Sequence, residues 1–325
     1  MINIKDTTYA VKALLPSGKR IDLSSLLADL SWEENAGELA QRAIITMANT
    51  KTKDGYVNNL LSLCVNVFIY ANGAEVMRGI VWESDFQSGK KDMITITIYD
   101  KMIYLQNSEE NSYFAAGGST ENIISTICKR WGIDLSYTWK SFTHPKVIYS
   151  GQSISEEIIQ TLDEAARKLG KTYVASMDKD VLNVSTKGMN AAVYIFDAKT
   201  AISAQNKMTL DGLVTQVVVV GTEDDLGRTP IISTLQGKTE FGILQKIVSA
   251  SSNDKIADAK AEAQKILDDK GKPDDQITVE APDVPTIRKG HKIKVNAGNL
   301  TGYFYVKGVS HKASSRTMTL ELERV

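Results

Sequence analysis

The chain has 325 residues, 42% hydrophobic and 24% charged, a composition typical of a folded globular protein and not of a disordered one. Its 38 basic and 39 acidic residues leave a formal net charge of −1, so no overall basic field indicates a nucleic-acid or membrane partner. Two cysteines, Cys64 and Cys128, are too few for a multi-cysteine zinc site or a disulfide scaffold. Both lie in apolar runs, which predicts buried, reduced thiols.

No segment of the sequence predicts a membrane span or a secretory signal. The longest apolar run, residues 60–71, is interrupted by Ser62 and Asn66 and is shorter than the roughly 18–20 residues that cross a bilayer. The first residues carry Lys5 and Asp6 and have no apolar core. We therefore expect a protein that is made in a cytoplasm and is not inserted into a membrane.

The first hundred residues predict mainly β-structure. Isoleucines at 94, 96 and 98 alternate with Thr95, Thr97 and Tyr99, the period-two pattern of a strand with one buried face. Asn72-Gly73 tolerates positive φ at both positions and therefore predicts a tight hairpin turn. The other elements predicted in this region are strands at 42–48, 64–70 and 75–82 and a short amphipathic helix or turn at 56–63.

The middle third of the chain predicts two helices. Ser119 is placed to cap the first, which ends at Gly132, and Ser153 and Glu156 have the spacing of a capping box at the start of the second. Gly170 marks the end of that second helix. Two short strands are predicted to follow, at 172–176 and 181–185, joined by a turn at 177–180.

The last third predicts β-structure again. A valine-rich strand at 213–220 precedes a polar segment, 221–241, that is predicted to be an exposed loop or a long hairpin. Residues 253–270 predict an alanine-rich helix whose early acidic and late basic residues suit the helix dipole. The strands predicted after it lie at 276–280, 291–295, 303–310 and 316–323.

The order strand, helix, strand, strand, strand occurs twice in these predictions. The first copy consists of residues 42–48, 56–63, 64–70, 75–82 and 93–99, and the second of residues 244–249, 253–270, 291–295, 303–310 and 316–323. Residue identity between the copies is low. We therefore treat an internal duplication as a hypothesis, which different strand orders in the two copies would contradict.

No pattern of residues predicts an active site. The three histidines, His144, His291 and His311, are not at metal-ligand spacing, and we expect structural roles for them. Adjacent carboxylates, such as Glu33/Glu34 and Glu156/Glu157, are expected on solvated surfaces. Ser153 lies in a sequence that lacks the second glycine of a nucleophile elbow. The sequence therefore predicts no catalytic residue, no metal ligand, no cofactor and no small-molecule substrate.

A set of short motifs is spread over nearly the whole chain. Its N-terminal pieces are Leu30-Ser31-Trp32, the strand after it, Arg78-Gly79-Ile80-Val81-Trp82, and the junction Tyr99-Asp100 to Leu105. Gly170-Lys171-Thr172-Tyr173 follows a helix. The C-terminal pieces, which are the most specific, are Gly290-His291-Lys292, Gly302-Tyr303-Phe304-Tyr305-Val306, Val309-Ser310-His311 and Thr317-Met318-Thr319-Leu320.

In this order and at these spacings, the motifs resemble the XkdQ/YqbQ-type tail proteins of phages and phage-like particles. The resemblance implies a fold that is α+β and mainly β: two tail-tube-like β-barrel or sandwich domains with a helix-containing α/β domain between them. The boundaries we predict are 1–105, 106–200 and 201–325, with the helix at 253–270 in the last domain. Proteins of this type are similar to the baseplate hubs of contractile tails and of type VI spike complexes. The family often has an acidic residue where this chain has His291.

The function implied by the resemblance is structural: a homotrimeric baseplate or tail hub that adapts a sixfold tail tube to a threefold spike. The implied partners are the chain itself, the tube protein, the central spike protein and other baseplate proteins, with no sequence-specific nucleic acid. Such a chain is made in a bacterial cytoplasm and assembled into a phage tail or a tail-like particle. The alternatives are a tail-associated cell-wall hydrolase, a receptor-binding tail module and another structural protein of the tail or baseplate.

The polar segment 221–241 is the interface that the sequence predicts, because a long polar excursion from a β-domain is commonly a contact surface. An exposed loop without a partner is the alternative. The candidate contact residues are Asp224, Asp225, Leu226, Arg228, Ile231, Leu235 and Phe241.

Overall fold

The computed structural model describes residues 7–89, 92–223, 227–250 and 255–325. The chain forms two compact units. The first consists of Met1–Gln205 and Thr278–Val325, and the second of Asn206–Ile277. The chain therefore leaves the first unit once and returns to it for its C-terminal strands.

The helices of the described residues are α1 (Val57–Leu60), α2 (Met102–Gln106), α3 (Thr120–Arg130), α4 (Ile154–Leu169) and α5 (Ile256–Lys270). The strands up to residue 114 are β1 (Tyr9–Leu14), β2 (Arg20–Asp22), β3 (Leu27–Glu34), β4 (Gln41–Ala48), β5 (Lys51–Thr52), β6 (Gly55–Tyr56), β7 (Asn66–Ala71), β8 (Ala74–Gln87), β9 (Met93–Tyr99) and β10 (Glu109–Phe114). Those up to residue 220 are β11 (Asp134–Tyr137), β12 (Val147–Ser153), β13 (Tyr173–Asp178), β14 (Val181–Thr186), β15 (Ile195–Asp197), β16 (Ser203–Thr209) and β17 (Gln216–Val220). The remainder are β18 (Ile231–Gln236), β19 (Gln245–Ser249), β20 (Asp274–Pro282), β21 (Lys292–Ala297), β22 (Leu300–Lys312) and β23 (Thr317–Arg324).

One large sheet contains the same order of six strands twice. The N-terminal copy has the order β3-β4-β9-β8-β7-β1, and the C-terminal copy has the order β16-β20-β23-β22-β21-β15. The copies are joined because β22 also pairs antiparallel with β3. They differ at one end, since β1 pairs antiparallel with β7 whereas β15 pairs parallel with β21.

The duplicated strand order is present, but two of the predicted members of the second copy are wrong. Residues 244–249 form β19, which pairs with β17 in a separate sheet, and β20 takes the place we assigned to them. The helix predicted at 253–270 is α5, which begins at Ile256 and packs on that separate sheet; residues 253 and 254 lie outside the described residues. We misassigned β19 and α5 from their order in the sequence, because both lie in a segment that is inserted between the paired strands β16 and β20.

Period-two burial builds the core of the N-terminal copy. Ile94, Ile96 and Ile98 of β9 are fully buried and pack with Ile45 of the neighbouring β4. The predicted hairpin is present between β7 and β8, where Asn72 has φ of 51° and Gly73 of 80°. Cys64, predicted to be buried, is exposed, because it lies in the turn before β7 with φ of 66°; Cys128 is buried as predicted.

The middle of the chain folds around its two predicted helices. The Ser119 side chain accepts a hydrogen bond from the Asn122 N–H at 3.1 Å and so caps α3. Ser153 and Glu156 form the reciprocal capping box at the start of α4, and Gly170 ends that helix with φ of 59°. Both helices bury their apolar faces in one core with strands β13 and β14.

The second compact unit is a three-stranded sheet covered by a helix. The strand order is β18-β17-β19, and Val217, Val219 and Val248 of the sheet pack with Ala259 and Ala263 of α5. The predicted domain 201–325 is therefore not one compact unit, because α5 belongs to Asn206–Ile277 and the C-terminal strands belong to the first unit. The boundaries at 105 and 200 stay predictions.

Candidate functional site

The junction between the two strand repeats holds a polar cluster. The β3–β22 register places Trp32 opposite His311, and the two rings stack with centroids 3.9 Å apart. Both side chains are fully buried. The polar residues around this strand pair form the junction cluster: Glu34, Gln41, Asp100, Asp283, Arg288, Lys289 and His311.

His311 is hydrogen-bonded at both ring nitrogens. Its Nδ1 lies 2.6 Å from Asp283 Oδ1, and its Nε2 lies 3.1 Å from the Ile287 carbonyl oxygen. A carbonyl oxygen only accepts, so Nε2 carries a hydrogen and donates it to Ile287. The Tyr9 hydroxyl donates to the other oxygen of Asp283. Burial, together with the Asp283 carboxylate, raises the pKa of Tyr9.

Glu34 and Arg288 form a forked ion pair. Arg288 donates from Nη2 to Glu34 Oε1 at 2.9 Å and from Nε to Oε2 at 3.0 Å, and the Lys289 backbone N–H donates to Oε2 at 2.8 Å. Glu34 is only 1% exposed. Burial alone would raise the pKa of Glu34, but the charges and hydrogen bonds of Arg288 and Lys289 outweigh it and lower that pKa to about 2.

The same cluster binds the strand pair to β13. The Met177 carbonyl accepts from Gln41 Nε2 at 2.6 Å and from Arg288 Nη2 at 3.1 Å. Gln41 Nε2 also donates to Glu34 Oε1 at 2.9 Å. Arg288 Nη1 donates to the Val76 carbonyl in β8 at 3.3 Å. One guanidinium therefore joins both strand repeats to the middle of the chain.

Asp100 is a second buried carboxyl of the junction cluster. It follows β9, is 1% exposed, and accepts the backbone N–H groups of Gln41 and Met102, both at 2.9 Å. Burial raises the pKa of Asp100 to about 7 in spite of these two hydrogen bonds. The carboxyl thus changes its charge near neutral pH inside the protein.

The contacts of the junction cluster hold parts of the protein together. Asp283 and His311 are at most 1% exposed, and their partners are other protein groups. Within the described ranges, no three His, Cys, Asp or Glu side chains come together as a metal site would require.

Among the helices described, none has the length and apolar character needed to cross a membrane.

The two other histidines, for which we expected structural roles, also have hydrogen-bond partners. His144 is buried, with Nε2 2.9 Å from Thr120 Oγ1 and Nδ1 3.2 Å from Glu164 Oε2. His291 accepts the Arg288 backbone N–H at Nδ1, at 3.3 Å, and burial lowers its pKa. These contacts give both rings structural positions in the described part of the chain.

Two of the carboxylates expected to be solvated are buried. Glu34 lies in the junction cluster, and Glu157 is fully buried with no hydrogen-bond partner for either carboxylate oxygen among the described residues. Burial raises the pKa of Glu157. A signal for both was available: Glu34 shares the inner face of β3 with Leu30 and Trp32, and Glu157 falls on the buried stripe of α4.

The predicted interface residues divide into three groups. Asp224, Asp225 and Leu226 lie outside the described residues. Ile231 and Phe241 are 69% and 43% exposed, and Arg228 is also exposed. Leu235 instead packs partly against the core of the second unit, opposite Val217 in the β17–β18 ladder.

The family model that matches this sequence is described as YqbQ-like and covers residues 30–323. That range is most of the chain. The chain belongs to the YqbQ-like family. Among the curated proteins, none is similar enough to this YqbQ-like chain to count as a match.

Three solved structures show how widely the fold is shared. The 43 kDa tail protein of prophage MuSo2 from Shewanella oneidensis superposes with a TM-score of 0.71 at 12% identity, over 98% of each chain. A tail protein from Neisseria meningitidis MC58 gives 0.67 at 15% identity, over 97% of this chain and 96% of that one. The E. coli c3393 protein gives 0.56 at 10% identity, over 92% and 73%.

These similarities establish the fold of the YqbQ-like chain as that of phage tail proteins, mainly β with a large antiparallel sheet. The E. coli protein is described as a component of the type VI secretion system with structural similarity to the T4 tail proteins gp27 and gp5. Family and fold together support a structural role in a phage tail or baseplate.

Proposed function

We propose that this YqbQ-like protein is the hub of a phage or tail-like baseplate, a homotrimeric ring that connects a sixfold tail tube to a threefold spike. The observation that carries the proposal is the duplicated order of six strands in one chain. Three chains with two similar repeats each would present six similar surfaces. One face of such a ring matches a hexameric tube while the assembly keeps threefold symmetry.

The proposed partners are the tube protein, the central spike protein and other baseplate proteins, and the proposed action is binding. The junction cluster suits this role because it fixes the two repeats of one chain to each other with a forked ion pair and a stacked ring pair. A rigid pair of repeats keeps the spacing of the surfaces offered to the tube. We propose no catalytic step, and the assembled product is a tail or tail-like particle.

Mass photometry of the purified protein, with class averages from electron microscopy, tests the proposal. Three chains of 35.7 kDa give about 107 kDa, and we expect a three-lobed ring with an open centre. If the chain is a monomer alone, the measurement is repeated with tube and spike proteins added. A chain that stays monomeric with both present, or forms a closed dimer, contradicts the hub. A cleared band in a cell-wall zymogram would favour the hydrolase.

We also propose that the β17–β18 hairpin, with the segment that follows it, supplies a contact of the ring. Support comes from Ile231 and Phe241, large apolar side chains that are exposed in the single chain. Deleting 224–237 would remove β18 from its sheet, so substitutions are the better test.

The informative variant combines Ile231→Lys with Phe241→Ser. We expect it to shift the assembly toward monomers with unchanged circular dichroism. A matched control is Ile148→Lys with Tyr113→Ser, which replaces side chains that are 61% and 65% exposed on the β10–β12 pair. Normal ring assembly by the first variant, or equal loss in both, contradicts this contact.

A further inference from the structure

The first unit contains an apolar cavity that lies beside the junction cluster, whose Lys289 is among its lining residues. It has a volume of about 470 Å³ and lies between α4, β13 and the connection from β3 to β4. Pockets of about 300–1,000 Å³ bind ligands in proteins. The apolar side chains that line it are Leu39, Ile159, Ala166, Val174, Ala175 and Val306.

The rim of this cavity carries basic side chains without counter-ions. Arg167, Lys171 and Lys307 line it and are exposed, and no ion pair joins any of them to another described residue. Three carboxylates also line the cavity, and each has a partner of its own: Glu323 pairs with Lys187 at 2.5 Å, Asp163 accepts from the Tyr173 hydroxyl at 2.7 Å, and Glu38 accepts from Asn35 Nδ2 at 3.1 Å. Five basic and three acidic side chains line the cavity, so an apolar interior is combined with a net positive mouth in a chain whose net charge is −1.

The wall formed by β13 also offers backbone groups. β13 is an edge strand, paired with β14 on one side only. The Met177 carbonyl points away from β14, since Gln41 and Arg288 donate to it. Every second residue of a strand directs its backbone groups to the same side, so Ala175 and Tyr173 direct theirs outward as well. Both residues line the cavity.

We propose that this cavity docks an extended acidic segment of a partner protein. One large apolar side chain of the segment fills the cavity, and the acidic side chains beside it pair with Arg167, Lys171 and Lys307. The backbone of the segment lies beside Tyr173 and Ala175, outside the part of the β13 edge that Gln41 and Arg288 occupy at Met177. The partner segment is acidic because its charge complements the basic rim of the cavity.

This docking site does not depend on the proposed ring, because all of its lining residues belong to the first unit of a single chain. Its test therefore uses the full-length protein in whatever oligomeric state it adopts. The probe is a fluorescein-labelled synthetic peptide with Asp residues on both sides of a central Phe-Leu pair. Two comparison peptides replace all Asp by Asn, or Phe-Leu by Ser-Ser.

Fluorescence anisotropy should show saturable binding of the acidic apolar peptide and binding weaker by about tenfold or more for each comparison peptide. Two variants should lose the binding to the same extent. One reverses the rim charges, with Arg167→Glu, Lys171→Glu and Lys307→Glu. The other, Ala36→Trp, fills the cavity from an exposed position of its lining.

A matched control reverses three exposed lysines away from the lining: Lys129→Glu, Lys140→Glu and Lys146→Glu. Because it changes the net charge equally, it should bind the peptide like the unmodified protein. The proposal is overturned if no peptide binds saturably, if the uncharged peptide binds as well, or if the control loses as much binding as the rim variant. Circular dichroism of each variant checks that the fold is retained.

Discussion

Arg288 is the side chain whose replacement we expect to destabilise the protein most. Arg288→Met leaves the buried Glu34 carboxylate without its counter-ion, a change that costs about 3–5 kcal/mol. Urea unfolding followed by circular dichroism measures the loss. The double variant Glu34→Gln with Arg288→Met should recover part of it, because no uncompensated charge remains. A loss below about 1 kcal/mol in Arg288→Met would show that solvent reaches Glu34.

Asp100 should make stability depend on pH near neutrality. Its folded-state pKa of about 7 lies above the ordinary value of 3.8, so between these values the folded state holds a proton that the unfolded chain has lost. The free energy of unfolding therefore falls as pH rises through this window. Unfolding at pH 5 and pH 8 tests this, and Asp100→Asn should reduce the difference between the two. An equal difference in the variant would assign the effect to another group.

Glu34 acts in a different pH window. Its pKa is lowered from 4.5 to about 2, so the stability that its ionised form contributes is complete above about pH 4.5 and is lost as pH falls toward 2. The two buried carboxyls of one cluster therefore act in opposite directions on the two sides of about pH 4.5.

At the scale of single elements, the start of α4 offers a clean test of a local signal. Ser153→Ala removes the side-chain acceptor of the capping box, which we expect to cost about 1 kcal/mol in the free energy of unfolding. Ser88→Ala is the control, since Ser88 is exposed and no side-chain hydrogen bond joins it to another described residue. Equal stability of the two variants would mean that tertiary packing alone holds the helix start.

Local signals of this kind explain which elements could be predicted. The capping box, the Asn72-Gly73 turn and the alternating strand 93–99 each depend on residues close in sequence, and each is present. Pairings between distant segments could not be predicted in the same way. The composition of β19 is that of a strand in the large sheet. Only the tertiary structure shows that β20 occupies the position in that sheet to which we assigned β19.

The junction cluster shows the same limit at the level of side chains. Trp32 and Val309–His311 were recognisable as motifs, yet nothing local says that one ring stacks on the other across the β3–β22 pair. Glu34 was predicted to be solvated because it stands beside Glu33. Alternation along β3 places it instead on the inner face, where its partner Arg288 comes from 254 residues away.

At the scale of the whole chain, the second compact unit should be removable. The Ile202 N–H donates to the Glu280 carbonyl at 2.8 Å, which places the start of β16 beside the end of β20. The other ends of these strands, from which the inserted segment leaves and returns, are therefore neighbours. In the N-terminal copy, residues 35–40 alone connect the corresponding strands β3 and β4.

We expect that replacing residues 211–272 with a connection as short as 35–40 leaves a soluble protein with the sheet intact. Near-ultraviolet circular dichroism and cooperative urea unfolding measure this. If the proposed ring contact in the β17–β18 hairpin is correct, the shortened chain should also be monomeric by mass photometry. A molten or insoluble product would show that the second unit is needed for the sheet to fold.

The pairing of β3 with β22 has a consequence for the order of events during synthesis. β3 is complete after residue 34, but its partner ends at residue 312. At about 5–20 residues per second, the ribosome needs on the order of tens of seconds to supply that partner. Throughout this delay β3 has one edge without its native neighbour, an edge on which foreign strands can pair. Nascent chains truncated before β22 should therefore aggregate or recruit chaperones. The solubility of the N-terminal strands thus depends on the last few dozen residues of the chain.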